Sequence, residues 1–337
     1  MRNGLILLIL LSGLAACRKD PGLQVDDVDG PFLLELPVGA PPLPVPDANP
    51  LTKASVSLGK ALFFDTRLSR DGSMSCASCH HTDRAFSDTL ALSLGVNGSP
   101  GMRNAPTLAN VAYHPGIFRD GGIPTLEAQV IAPVQDDLEM DHSLQAAAES
   151  LSVDEEYQRL SQLAYGRDLD PFVITRAIAA YERTLISGWS RFDRYLYQGQ
   201  AQALTESERR GWDLFRSDAL NCMACHNGFD LSDHSYQNIG QYLAYADPGR
   251  ARITLDLADE GKFKVPTLRN IALTGPYMHD GAMATLDEVI DHFASGGQAH
   301  PNRSPLLTTF ALNEQERADL LAFLHALTDE RSIDQVP

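Results

Sequence analysis

The sequence predicts a mainly α fold in which one domain occurs twice, with long loops between the helices. Three observations carry this prediction. A five-residue motif appears twice, as Cys76-Ala77-Ser78-Cys79-His80 and Cys222-Met223-Ala224-Cys225-His226. Around it the chain repeats itself. Pro106-Thr107-Leu108-Ala109-Asn110-Val111-Ala112 matches Pro266-Thr267-Leu268-Arg269-Asn270-Ile271-Ala272 at an offset of 160, and nine of 21 positions from 106 to 126 are identical. Apolar residues recur at helical spacing, while strand-like alternation is scarce. A period this long is no solenoid repeat and marks a duplicated domain.

The elements follow in chain order. Arg2 precedes an apolar run from Leu5 to Leu11 and then Leu14-Ala15-Ala16-Cys17. This reads as a signal peptide over 1–16 whose removal leaves Cys17 as a lipidated N-terminus, because the run is too short to span a bilayer. Residues 17–50, with Pro41-Pro42-Leu43-Pro44-Val45-Pro46, read as an extended tether between membrane and domain. The first domain is expected over 51–200 and the second over 201–337. Gly59-Lys60-Ala61-Leu62-Phe63 predicts a helix before the first motif, matching Gly211-Trp212-Asp213-Leu214-Phe215 before the second. Residues 172–186, with Phe172, Val173, Ile174, Ile178, Tyr181 and Leu185, predict an amphipathic helix. Thr205 with Glu208 is a capping box opening the helix of Trp212 and Phe215. Asn313 with Glu316 opens a terminal helix carrying Leu320, Leu321, Phe323, Leu324 and Leu327. Between helices lie Gly/Pro loops at 93–106 and 227–250.

The repeated motif carries the chemistry. Two thiols one helical turn apart can form thioethers to the vinyl groups of a haem, and the histidine after them can bind its iron from one face. The chain is therefore expected to hold two covalent haem c groups, through Cys76, Cys79 and His80 and through Cys222, Cys225 and His226, in two cytochrome c-like domains. A zinc ribbon would place its second Cys pair about 15–20 residues after the first, whereas 143 positions separate Cys79 from Cys222. The fifth cysteine, Cys17, is accounted for as the lipidated N-terminus; the alternative is an ordinary secreted protein with one free thiol. Formal net charge is −17, which argues against nucleic-acid binding and fits either a basic protein partner or plain solubility.

These residues resemble the bacterial di-haem cytochrome c peroxidase family, which includes MauG-like enzymes. The most specific stretches are Leu58-Gly59-Lys60-Ala61-Leu62-Phe63-Phe64-Asp65, the two haem motifs, Lys264-Val265-Pro266-Thr267-Leu268-Arg269-Asn270 and Pro276-Tyr277-Met278-His279-Asp280-Gly281. The resemblance implies that the haem on His226 takes electrons from a small donor, a monohaem cytochrome c or a cupredoxin, and passes them to the haem on His80. There hydrogen peroxide is reduced to water. It places Gln129 and Glu139 over the first haem, Gln129 to orient the peroxide and Glu139 to handle the proton. At the matching positions the second half has Val289 and Ala299, neither of which moves a proton. The resemblance also implies a periplasmic location, a homodimer in many relatives, and a calcium ion held by the Asn104 side chain and the backbone at Thr274 and Pro276. Hard oxygen ligands of this kind suit calcium.

The chain departs from the family at three positions. Some relatives block the first haem with a distal His; sixteen residues after His80 this chain has Val96, which cannot bind iron. The first haem is therefore expected to keep an open face, with His81 and His114 the remaining imidazoles nearby. The register that usually gives the second haem a Met or Tyr ligand lands on Phe293, so either this haem is also five-coordinate or a neighbour substitutes, with His292, Met278 and Met283 as candidates. The Phe-Trp-Asp-Gly stretch common in relatives is Phe118-Arg119-Asp120-Gly121 here, so the Trp thought to relay electrons is missing, while Trp189 and Trp212 read as packing residues. MauG-like oxidation of Trp or Tyr on a partner protein is the second reading. A carrier whose haems only pass electrons is the third.

Overall fold

The structure, a computed structural model, describes residues 30–336. The signal peptide expected over 1–16, Cys17 and the first part of the expected tether lie outside the described residues. The fold is mainly α. Its helices are α1 (Lys53–Phe64), α2 (Leu126–Gln129), α3 (Ile131–Gln135), α4 (Leu144–Leu151), α5 (Glu155–Tyr165), α6 (Pro171–Glu182), α7 (Arg191–Gln198), α8 (Glu206–Phe215), α9 (Ala251–Thr254), α10 (Leu286–Ser295) and α11 (Glu314–His325). Short 3-10 turns, one in each Cys-x-x-Cys segment, and an antiparallel ribbon of β1 (Tyr236–Gln237) with β2 (Phe263–Lys264) complete the elements. Among the described residues no helix is long and apolar enough to cross a membrane.

The duplication is built into the cores. α1 crosses α6 in the first half, and α8 crosses α11 in the second. A Cβ on Gly59 would stand 1.9 Å from the Ala177 carbonyl oxygen, and one on Gly211 2.0 Å from that of Asp319. Only glycine permits so close a crossing. The rings beside the two crossings match as well: Phe63 meets Tyr181 with centroids 5.2 Å apart, and Phe215 meets Phe323 at 5.1 Å. The capping boxes expected at Thr205 and Asn313 are both present, and Thr52 with Ser55 makes a third at the start of α1.

Two differences from the sequence division stand out. The cores separate before residue 200: Leu185 belongs to the first, whereas Phe192 on α7 packs into the second. The chain then returns at its end, where Ile333 and Val336 join the first core. Residues 30–50, assigned above to an extended tether, instead form a strap against the body. Tyr113 Oη donates to the Pro41 carbonyl at 3.0 Å, Asn49 Nδ2 donates to Glu127 at 2.7 Å, and Arg331 pairs with Glu35 at 3.1 Å. Proline gives an extended path without deciding whether that path is free or packed; side chains far along the sequence decided it.

Polar groups lock the halves together. Asn110 and Asn270, equivalent in the repeat, both sit in the left-handed region, at φ 60° and 58°. Both reach Ser187 in the linker, Asn110 Nδ2 donating to its carbonyl at 3.1 Å and Asn270 Nδ2 to its hydroxyl at 3.0 Å. Arg103 bridges Asp120 of its own half at 2.7 Å and Asp247 of the other at 2.6 Å.

Candidate active site

Each haem motif is shaped by the segment after it. In the first, Phe86 takes a left-handed conformation (φ 59°) and its carbonyl accepts a hydrogen bond from His80 Nδ1 at 2.8 Å. In the second, Leu231 (φ 49°) does the same for His226 Nδ1 at 3.0 Å. Tying down Nδ1 fixes the tautomer of each ring and leaves Nε2 free to bind a metal. Burial also pushes both imidazoles down, towards the neutral form a metal requires. Thr107 donates to the Ala85 carbonyl behind the first ring, and Thr267 to the Asp230 carbonyl behind the second. Cys76, Cys79, Cys222 and Cys225 are unbridged and half-buried. The residues thus fit covalent haem at both motifs.

A cavity of about 360 Å³ opens on the first motif, and Cys76, Cys79, His80, Gln129 and Glu139 all line it. Gln129 closes the single turn of α2, which Thr125 caps by accepting from the Ala128 N–H at 3.2 Å. Glu139 sits on the loop after α3. Its N–H donates to the Asp136 carbonyl at 3.1 Å, and its own carbonyl accepts from Val96 N–H at 2.9 Å. Gly95 makes that second bond reachable, since a Cβ there would stand 2.1 Å from the Leu138 carbonyl oxygen. Val96 therefore holds the acid's backbone rather than offering a ligand. The Glu139 side chain is open to the cavity. The protein packed around it, with Asp136 adding a like charge, pushes its carboxyl up to about 6.

The other nearby imidazoles point elsewhere. His81 Nε2 lies 3.5 Å from Asp88. His114 also lines the cavity, but Lys264 Nζ approaches its Nδ1 at 3.1 Å and Asp230 faces its Nε2 at 3.4 Å. His234 completes a His114–Asp230–His234 cluster within 4.8 Å. Among the described residues His114 Nε2 and Asp230 Oδ2 have no hydrogen-bond partner, so they make a close polar approach only, and the bond that joins the halves here is the one between Lys264 Nζ and His114 Nδ1. The sequence reading missed the cluster, because His114 lies more than a hundred residues from Asp230 and His234. It also missed Glu182, a buried acid on α6 lining the cavity, which burial pushes up to about 8. Helical spacing alone marks that position as core.

In the second half, Val289 and Phe293 lie on α10 and Ala299 on the loop after it. His292 Nε2 is engaged with the Ile239 carbonyl at 3.0 Å. Met278 and Met283 flank the Asp280–Gly281 turn, where Tyr277 and Met283 pair as an isolated bridge. Trp212 packs on Phe192 with centroids 4.9 Å apart, and Arg331 covers the Trp189 ring at 3.4 Å.

Comparison with known proteins decides the family. Residues 53–202 match the di-haem cytochrome c peroxidase family and residues 208–328 the cytochrome c family. The methylamine utilization protein MauG of Methylorubrum extorquens is 38% identical over 299 residues, covering 88% of this chain and 84% of the relative. The chain belongs to the di-haem cytochrome c peroxidase and MauG family. Cytochrome c551 peroxidase of Nitrosomonas europaea is 35% identical over 301 residues, covering 87% of this chain and 86% of that protein. The crystal structure of a MauG-like protein associated with microbial copper homeostasis superimposes with a TM-score of 0.85 at 38% identity, over 90% of this chain and 97% of that one. Membership implies covalent haem c in a two-haem protein, hydrogen peroxide as oxidant and a redox partner.

Proposed function

We propose that this chain is a periplasmic peroxidase, anchored by a lipid on Cys17, that reduces hydrogen peroxide to water with electrons from a small cytochrome c or cupredoxin. One observation carries the reading: an amide and a carboxyl poised near neutral pH line the cavity of the first haem motif, while the second half has Val289 and Ala299 instead. Haem bound at the two motifs supplies the iron that takes peroxide and the redox centres that carry the electrons. The protein does the rest. His80 would hold the iron of the first haem through Nε2, and Gln129, lining the same cavity, would orient the peroxide. Glu139 takes the proton from one peroxide oxygen and returns it to the second, which leaves as water when the O–O bond breaks. Two electrons and two protons complete two waters from one peroxide, and Glu139, open to the cavity, exchanges its proton with solvent. Anaerobic titration of the fully reduced protein with peroxide tests this. One equivalent of peroxide is expected to reoxidise both haems, followed by absorbance; a reduced protein indifferent to peroxide would falsify the reading.

MauG-like oxidation of an aromatic residue on a partner protein is the second reading, favoured by the relatives named MauG at 38% identity. It predicts a mass shift on a co-purifying protein after peroxide treatment.

A further inference from the structure

The calcium ion that the family resemblance implies is the point where this chain's own residues disagree. Asn104 would be its side-chain ligand, yet both Asn104 oxygens are taken. Arg119 Nε donates to the Asn104 carbonyl at 2.9 Å, and Arg119 Nη2 donates to Asn104 Oδ1 at 2.5 Å. The other polar atoms of Asn104 are used as well, its N–H by the His279 carbonyl at 2.8 Å and its Nδ2 by the Leu90 carbonyl at 3.0 Å. The asparagine is thereby a hub. It ties the loop after the first haem motif to the second half, and Arg119 completes it.

Arg119 is placed there by its backbone. Phe118 adopts φ 64°, turning the chain so that the Arg119 carbonyl accepts from Lys264 N–H at 2.6 Å, across the junction of the halves. Among the described residues no carboxylate hydrogen-bonds the guanidinium. Burial, and then the like charge of Arg103, push it down to about 10, with Asp280 opposing. A divalent ion at Asn104 would meet this cation at close range. The same substitution that removes the Trp of relatives therefore supplies a fixed positive charge.

We propose that Arg119 is a built-in substitute for the calcium: its guanidinium satisfies Asn104 permanently, so the junction between the haem halves holds without a metal ion. The inference does not depend on what the protein oxidises.

Metal content and chelation test it on the holoprotein. Protein purified in calcium-containing buffer and then desalted is expected to hold substoichiometric calcium by plasma mass spectrometry, and EGTA should leave the haem absorbance and the Tm unchanged. Arg119→Gln removes the charge and frees the Asn104 oxygens; its Tm is expected to rise with added calcium, as for any ion that binds the folded state alone. Wild-type protein carrying one calcium per chain, released by EGTA with a spectral change, overturns the proposal, and this holds even where the variant fails to fold. A folded Arg119→Gln protein indifferent to calcium overturns it too.

Discussion

The two halves hold a haem motif in the same way and face it differently. Much of the scaffold behind the histidine of each motif is duplicated. The Gly59 and Gly211 crossings, the carbonyl clamps on His80 and His226, and the left-handed Asn110 and Asn270 are paired one to one. What faces the opposite side is not duplicated: Gln129 and Glu139 stand on a short helix and a loop whose counterparts carry Val289 and Ala299. Holding a prosthetic group constrains packed elements, where one methyl group in the wrong place is felt throughout. Choosing its chemistry constrains only a few side chains on loops. A duplicated domain can thus keep one scaffold and, on the proposed reading, divide two tasks, one site reacting and the other transferring electrons.

The largest expected effect separates the halves directly. Glu139→Gln should lower peroxide turnover by ~10²–10⁴-fold with both haems still attached, whereas Ala299→Gln, the same side chain at the matching position, should leave turnover close to wild type. Steady-state assays beside a pyridine haemochrome count check both. Next comes a difference in the cores. Arg269 makes a buried bidentate pair with Asp193, at 2.9 and 3.0 Å, where the first half has Ala109. Asp193→Ala leaves that guanidinium buried and unpaired, at a cost of about 3–5 kcal/mol in denaturant unfolding. Gly59→Ala and Gly211→Ala should then cost alike, about 1–3 kcal/mol each, because both force a helix crossing apart. Unequal Tm losses would break the symmetry of the scaffold. The smallest effect is on pH. With the Glu139 carboxyl near 6 and acting first as a base, turnover should rise as pH rises through about 6 and level off above it. Glu139→Gln should lose that limb.

Much of this was legible in the sequence because it is local or repeated. The haem motifs and the helices opening at 205 and 313 come from spacing and capping signals, and the helix read over 172–186 is present as Pro171–Glu182. Gln129 and Glu139 were singled out by the family resemblance, and self-alignment then set Val289 and Ala299 against them. Contacts made by loop closure were hidden. No spacing announces that Lys264 meets His114, that Arg119 fills Asn104, or that Phe192 packs with the second core. The strap of residues 30–50 is the same kind of case, since its partners Tyr113, Glu127 and Arg331 are distant in sequence.

Electron paramagnetic resonance of the ferric protein as isolated tests the central claim most directly, because it reports the open face itself. With Val96 in place of a distal ligand, a high-spin component is expected without prior reduction, one that Glu139→Gln perturbs and Ala299→Gln does not. A spectrum that is low-spin throughout would contradict the account.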